Sequence, residues 1–413
     1  MKTKMMNKFS VACGFALLAA FVTAPPACAE EPPTLAISPL ATTGPVPADI
    51  EPPSQESIRQ SIERGVEFLL EDQRPSGGWG SAEQTKGLNI FAPIPGAHHA
   101  FRTAVCGLVI EALVEAEPRL SGDLKSRVTK AIDRGETWLL ENAEEVRRAN
   151  MTAIYNTWGH SYGTTGMVSL YRRAEGDDSR QRNLREAIEV QVEKLERYSF
   201  VNGGWGYYDF EHHTQTPGGS PNSFTTATAL LALHQAKSIG VEFPQKEIVR
   251  AIASIERQRK PDFTYAYGEY LMMRPMYPIN RAGGSLGRSQ ACNLALRLYG
   301  DERVSDEVLK TWLNRLYARN GWLSIGRKRP VPHESHFAVA GYFYYYGHYY
   351  AGHTIELLPK EDRPYFQDHL ANILLPLQEK DGSWWDYPFY NYHQQYGTAM
   401  AVTCLLKCEH AAE

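Results

Sequence analysis

Six helix starts recur at intervals of roughly 50 to 60 residues, at Thr103, Thr164, Thr226, Ser289, Ala338 and Thr398, each trailing a loop rich in tryptophan or tyrosine. A period of that size means stacked supersecondary units, each burying its apolar face only against its neighbours. The six aligned stretches begin at Phe101, Tyr162, Phe224, Gly287, His336 and Tyr396, so nearly all of the chain beyond its N-terminal segment is one repeating object.

Each unit pairs two kinds of helix. In the first unit Ile58, Ile62, Val66, Leu69 and Leu70 fall at steps of three and four, with Glu63, Arg64, Glu67 and Glu71 on the opposite face, the stripe of an outer-layer helix. The stretches after Gly107 and Thr226 are apolar nearly all round, which places them in an inner layer buried on both sides. Two concentric layers of helical hairpins predict an all-α fold, an open solenoid or a closed ring. Closure is favoured, because the first and last units carry the same motif and neither shows a polar capping face.

The N-terminus reads as a targeting segment. Lys2, Lys4 and Lys8 precede an apolar run from Phe9 to Ala24, then Ala27-Cys28-Ala29, the small-x-small pattern that signal peptidase cleaves. Residues 1–29 are therefore expected to be a Sec-type signal peptide and the protein to be exported, to the periplasm or outside the cell. An uncleaved anchor would need a longer run, and Pro25 and Pro26 occupy positions where a lipidated Cys28 would want Leu and a small residue. No stable membrane span is expected after cleavage. Residues 30–53 hold seven prolines and no apolar periodicity, as in an extended, solvated linker, leaving 54–413 as a single domain of six repeats. Cleavage removes three lysines and no acids, so the mature net charge is −7; nucleic acid is excluded as a partner, because duplex binding needs a basic face. The remaining cysteines, Cys106, Cys292, Cys404 and Cys408, lie inside helix patterns without paired CxxC spacing, and read as small buried residues rather than a disulfide framework or thiolate metal site.

The loop motif carries a resemblance. Arg64-Gly65, Phe68-Leu69, Gln73, Gly77 and Trp79 fit [KR]-G-x2-[FYW]-[LIV]-x3-Q-x3-G-x-W, and Gln378, Gly382 and Trp384 repeat its second half. This resembles the QW repeat of squalene and terpenoid cyclases, and more widely the prenyltransferase and squalene cyclase repeat superfamily. Weaker copies run from Gly203 to Phe210, Asn156 to Gly163 and Asn320 to Ser324, while the fourth unit has tyrosine in place of tryptophan. The resemblance covers roughly residues 55–410 and implies an α/α toroid, with inner helices around a central cavity that usually holds a hydrophobic ligand. The motif itself is structural: glycine permits the sharp turn, tryptophan fills the gap between pairs, and glutamine is expected to satisfy helix-end groups of the neighbour.

Chemistry must be argued from the site, because one fold hosts many activities. The DxDD acid motif of protonating cyclases is missing; Glu175-Gly176-Asp177-Asp178 is the nearest string, and it reads as a solvated turn at the end away from the mouth. Of the zinc trio that resemblance to protein prenyltransferases implies, Asp381 and His393 have counterparts, but Ser383 stands where a thiolate is wanted. No GCGEQ thioester segment occurs.

What remains is a polar and aromatic cluster just ahead of the inner helices, holding eight of the thirteen histidines. His98, His99, His160, Asp209, Glu211, His212, His213, Glu269, Arg274, Arg281, His333, Glu334, His336, Asp386, Tyr390 and His393 converge on one mouth if the ring closes. These side chains read as hydrogen-bonded loop residues, as acid/base pairs of Asp209, Glu211 or Asp386 with His212, His336 or His393, or as a metal site using His333 and His336 or Glu211-His212-His213, whose spacing matches no ligand signature. Asp209, Glu211, His212, His336, Asp386 and His393 are the candidate catalytic residues. Tyr208, Glu269, Arg281, Tyr342, Trp385 and Tyr390 are the candidate substrate contacts; no metal ligand is assigned and no cofactor is identified. The fifth inner stretch, aromatic on every face, reads mostly as core, the rest as a cavity lining suited to a carbocation or a sugar ring. Three functions are compatible with this sequence: acting on or binding an isoprenoid-type ligand, a polysaccharide lyase or hydrolase, and a non-catalytic binding scaffold.

Overall fold

Alternation of amphipathic and apolar-all-round helices dictates the architecture seen in the computed structural model, which describes residues 37–87, 97–146, 156–206, 220–333 and 336–410. Residues 1–36, which hold the expected signal peptide and the first residues of the expected linker, lie outside that set. Among the described residues, six outer helices, α1 (Gln55–Glu71), α3 (Gly122–Asn142), α5 (Asp178–Tyr198), α7 (Gln245–Gln258), α9 (Asp306–Ala318) and α11 (Arg363–Leu374), alternate with six inner ones. The inner helices are α2 (Ala97–Ala116), α4 (Asn156–Arg173), α6 (Ser223–Ser238), α8 (Ala282–Leu298), α10 (Phe343–Ile355) and α12 (His393–Cys408). There are no strands among the described residues, only isolated bridges such as Ser81–Asn391. The expected stripe of α1 is buried at Ile58, Ile62, Val66 and Leu69, and α6 is buried along most of its length.

Each inner helix packs on the next, and α12 returns to pack on α2, so the ring is closed. The same staple explains both a normal joint and the seam. The Gln73 amide donates to Gly77 O in its own turn and, at 2.9 Å, to Ala131 O of α3. Gln378 does the same to Gly382 O and, at 2.9 Å, to Ser61 O of α1, joining the last unit to the first. Both target carbonyls lie within helices, not at the exposed helix ends expected. Gly77 and Gly382 hold φ near +90°, and a Cβ on either would stand within 2.5 Å of a backbone carbonyl of the next outer helix. The tryptophan that follows is fully buried and donates its indole N–H to the carbonyl ten residues back: Trp79 to Leu69, Trp205 to Leu195, Trp384 to Leu374. Tyr265 fills the fourth unit, its buried hydroxyl bonded to Asn293.

The register shifts in three units. Trp205 N and Trp384 N donate to Thr226 and Thr398, but Trp79 N meets Cys106 Sγ, one turn beyond Thr103. Asn156–Gly163, read as a loop copy, forms the first two turns of α4, and Asn320–Ser324 is a short helix. The fifth inner helix begins at Phe343, five residues after Ala338, whose φ of 51° interrupts any helix there. Asp177 caps α5 through Arg180 N, as suits a surface turn. The proline-rich stretch is not free solvated chain: Ala41 is buried and Arg315 donates to Leu40 O and Thr43 O, strapping it to α9. All four described cysteines are buried and free, and burial pushes the Cys106 and Cys292 thiols up to about 12.

The tightest inner contact is between α2 and α4, where a Cβ on Gly107 would stand 2.0 Å from Tyr162 O. A backbone carbonyl cannot yield as a side chain can. Gly107→Ala should therefore destabilise the fold by about 3 kcal/mol or more, read as a lowered urea midpoint at unchanged slope.

Candidate functional site

The inner helices enclose a chamber at the end where they start. It measures about 170 Å³ and is walled by stripes at helical spacing: Phe101, Ala104, Val105 and Leu108 on α2, Trp158 and Tyr162 on α4, Phe224 on α6, Phe343 and Tyr346 on α10, and Tyr396 and Met400 on α12. Tyr342, Tyr387, Phe389 and Tyr392 close it from the loops. Among the described residues, no lining residue carries a carboxyl, an imidazole or a cation. Its aromatic walls interlock edge to face, as Phe101 does with Phe389 at 4.6 Å and Phe224 with Phe343 at 5.0 Å, the arrangement that ring quadrupoles favour.

Of the eight candidate residues that are described, only Tyr342 lines this chamber. Tyr208, Asp209, Glu211 and His212 lie outside the described residues. Glu269 is held at the rim by Arg257, Ser254 and Asn202, Arg281 is exposed and donates to Met276 O of its own loop, and His336 is exposed against Phe337. Trp385 is half-buried, with Lys328 and Lys86 ammonium groups 4.5 and 5.1 Å from its ring. Tyr390 takes φ of 45° and its carbonyl accepts from Thr85 and from His393.

The expected pairing of Asp386 with His336 or His393 does not form among the described residues, and His212 lies outside them. Asp386 is fully buried; its carboxyl accepts the Tyr396 hydroxyl and, at 3.0 Å, the Tyr345 N–H. That N–H is one of the orphan donors at the start of α10, whose N-cap residue Tyr342 makes no side-chain capping bond. Asp386 therefore caps α10 from the sixth unit. Burial pushes its carboxyl up to about 7 against these hydrogen bonds. His393 Nδ1 sits 2.6 Å from Tyr390 O, and with that carbonyl as acceptor Nδ1 must be the protonated nitrogen. Nε2 then has no partner among the described residues, and burial lowers the ring to about 4. His160 is bound to Gln191 between α4 and α5 and is lowered to about 3 by burial; His333 and His336 are not brought together with any carboxylate, and the described residues hold no cluster of three metal-ligating side chains.

Sequence reading missed the α2, α4 and α12 walls. Their signal was present as i, i+3 and i+4 spacings of large side chains, at 101, 104, 105 and 108 and again at 392, 396 and 400, but helices apolar all round hide which stripe faces the cavity. It also missed Glu111, fully buried on α2 and accepting the Tyr349 hydroxyl at 2.6 Å. Burial, with Glu115 nearby, pushes its carboxyl up to about 8.

The sequence matches the squalene-hopene cyclase C-terminal domain over residues 46–273, more than half of the chain. The chain belongs to that family. No curated protein matches it. Among solved structures, the unsaturated glucuronyl hydrolase of Streptococcus agalactiae is similar at 12% identity and a TM-score of 0.52, over 87% of this chain and 94% of that one. The GH76A α-1,6-mannanase of Salegentibacter matches at 12% identity and a TM-score of 0.50, over 85% and 98%. The type II terpene cyclase MstE of Scytonema matches at 14% identity and a TM-score of 0.48, over 86% and 99%. At these identities the likeness concerns the α/α toroid alone.

Glu111 makes stability depend on pH with a definite sign. Its pKa is raised in the folded state, so folding is favoured most below the ordinary value of 4.5 and loses that advantage as pH rises towards about 8. Glu111→Gln should flatten this fall between pH 7 and 8, where the native protein loses up to about 1 kcal/mol per pH unit, measured as urea midpoints across that range.

Proposed function

We propose that the chain binds an apolar, isoprenoid-type ligand in its central chamber. The observation that carries this reading is the chamber wall itself, which among the described residues is aromatic and aliphatic with no charged or imidazole group. Transfer of apolar surface into such a site is favourable at about 25 cal/mol per Å². A sugar's many hydroxyls would find little but tyrosine hydroxyls as partners on the described wall, and each one left unpaired costs about 1–3 kcal/mol. The volume slightly exceeds the ~150 Å³ of an apolar cavity known to hold benzene, room for about one to two isoprene units.

Catalysis is a separate matter from binding. Cyclisation by protonation needs a strong acid at the alkene, whereas the described acid beside the wall, Asp386, is a weak one at about 7 and stands behind Tyr396. Glycoside hydrolysis needs two facing carboxyls, and the described lining residues supply none. The binding reading therefore asks least of the residues present.

Export is part of the same proposal, supported by the basic start, the apolar run and Ala27-Cys28-Ala29. N-terminal sequencing of the protein recovered outside the cytoplasm should begin at Glu30; a start at Met1 refutes cleavage. The chamber is tested by filling it. Ala104→Phe places a ring inside the cavity from α2 and should weaken binding of an apolar probe such as geraniol at least tenfold in calorimetry, while the melting temperature stays within a few degrees. Unchanged affinity would move the ligand elsewhere.

A further inference from the structure

Single exposed apolar side chains are common on a protein surface and mean little. Among the described residues eleven large ones are exposed, and four of them, Tyr270, Met273, Met276 and Tyr277, fall within eight residues of the segment that leads into α8. Met273 is 92% exposed and Met276 70%. An apolar cluster turned towards water marks a surface that something else covers.

The segment is built to hold these side chains outward. Arg274 N donates to Leu271 O and Tyr277 N to Arg274 O, both at 3.0 Å. These are two successive β-turns, with Met273 and Met276 each at the third position of its turn. Buried Asn280 braces both: its amide donates at 3.0 Å to Leu271 O and to Arg274 O, while its Oδ1 accepts the Tyr267 N–H at 2.8 Å. Arg281 Nε ties the second turn by donating to Met276 O at 2.7 Å. The result is a braced knob in which the carbonyls of Leu271, Arg274 and Met276 are taken up by the protein itself. Its charge is one-sided. From Tyr270 to Gly300 the chain holds no Asp or Glu, Glu269 just before is spent on Arg257, and Arg274 and Arg281 are exposed among the apolar side chains.

We propose that this knob docks the protein on an anionic lipid surface, with Met273, Met276, Tyr270 and Tyr277 entering the headgroup boundary and Arg274 and Arg281 meeting lipid phosphates. Backbone groups carried towards hydrocarbon are costly unless already bonded, and the braced turns meet that condition. Methionine is an adaptable apolar side chain, tyrosine suits an apolar-to-wet boundary, and arginine gains from a negative membrane surface. A specific protein partner would need about 20–30 residues a side, more than the knob presents. No described helix is long and apolar enough to cross a membrane, so the attachment is peripheral. It is independent of what the chamber binds.

Co-sedimentation of the mature protein with vesicles of phosphatidylglycerol and phosphatidylcholine tests this. The native protein should sediment with them, less so as salt is added. Met273→Asp combined with Met276→Asp should lower the partition coefficient about tenfold or more. Arg274→Glu should lower it about fivefold or more, a loss that vanishes on vesicles of phosphatidylcholine alone. Melting temperatures should hold in both variants, because the substituted side chains are exposed. Failure of the native protein to sediment, or sedimentation that the variants keep, overturns the proposal. So does a native protein that ignores the vesicles but dimerises in ultracentrifugation and is made monomeric by the methionine changes, a result that assigns the knob to a second copy.

Discussion

Everything in this structure depends on one joint, the Gln–Gly–Trp turn that lays the end of one outer helix against the backbone of the next. Gln73 and Gln378 bridge their own turn and a neighbouring helix carbonyl, the glycines allow backbone approach, and the tryptophans pin the turn to the helix it left. Each hydrogen bond is worth about 1 kcal/mol, too little alone to hold a domain. Their effect is geometric. The same angle repeated between units brings the sixth back to the first, where Gln378 finds Ser61 as Gln73 finds Ala131. A closed ring has no exposed terminal unit to cap.

Closure determines polarity. Inner helices are covered outside by the outer layer and inside by one another, so any group on them must be apolar or find a partner within the ring. Near the mouth this leaves an aromatic chamber. Behind it the hydroxyls of Tyr162, Tyr346, Tyr350 and Thr228 bond to one another and to Phe224 O, and further in Glu111 is kept protonated beyond its ordinary range against Tyr349. Lys407, between Glu115 and Glu356, marks the return of paired charge at the opposite end. Backbone strain gathers at the mouth, where His333, Ala338 and Tyr390 hold positive φ in the segments before α10 and α12. Such conformations cost of order 1–3 kcal/mol each and persist because surrounding contacts impose them, as the bonds of His333 to Ala338 O and Tyr342 do.

Legibility in the sequence followed period and neighbourhood. The two helix classes, the six units and the packing role of Trp79 and Trp384 were readable because each rests on residues close in the chain. The turn at Asp177 and the buried cysteines were readable for the same reason. Boundaries were less so: Asn156–Gly163 is helical, with Gly159 and Gly163 meeting Ala100 and Thr103 of α2 closely, a tertiary contact that overrides the turn-like look of Asn-Thr-Trp-Gly. Histidines ahead of the inner helices suggested a polar mouth, yet His98, His333 and His393 bond to a tyrosine or to backbone carbonyls. A polar residue named by its place in the chain carries no information about the partner that will consume it.

By itself the sequence determined the class, an all-α toroid of six hairpins, because helical periodicity and a recurrent turn are local properties that each unit states independently. Tertiary structure alone decided which stripe of each uniformly apolar helix faces inward, that Asp386 serves the start of a helix 41 residues away in the chain, and that the hydroxyls of Tyr162, Tyr350 and Thr228 meet one another. The reason is directional: burial can be read from side-chain type, but the direction of a hydrogen bond is settled only when every donor around it has been placed.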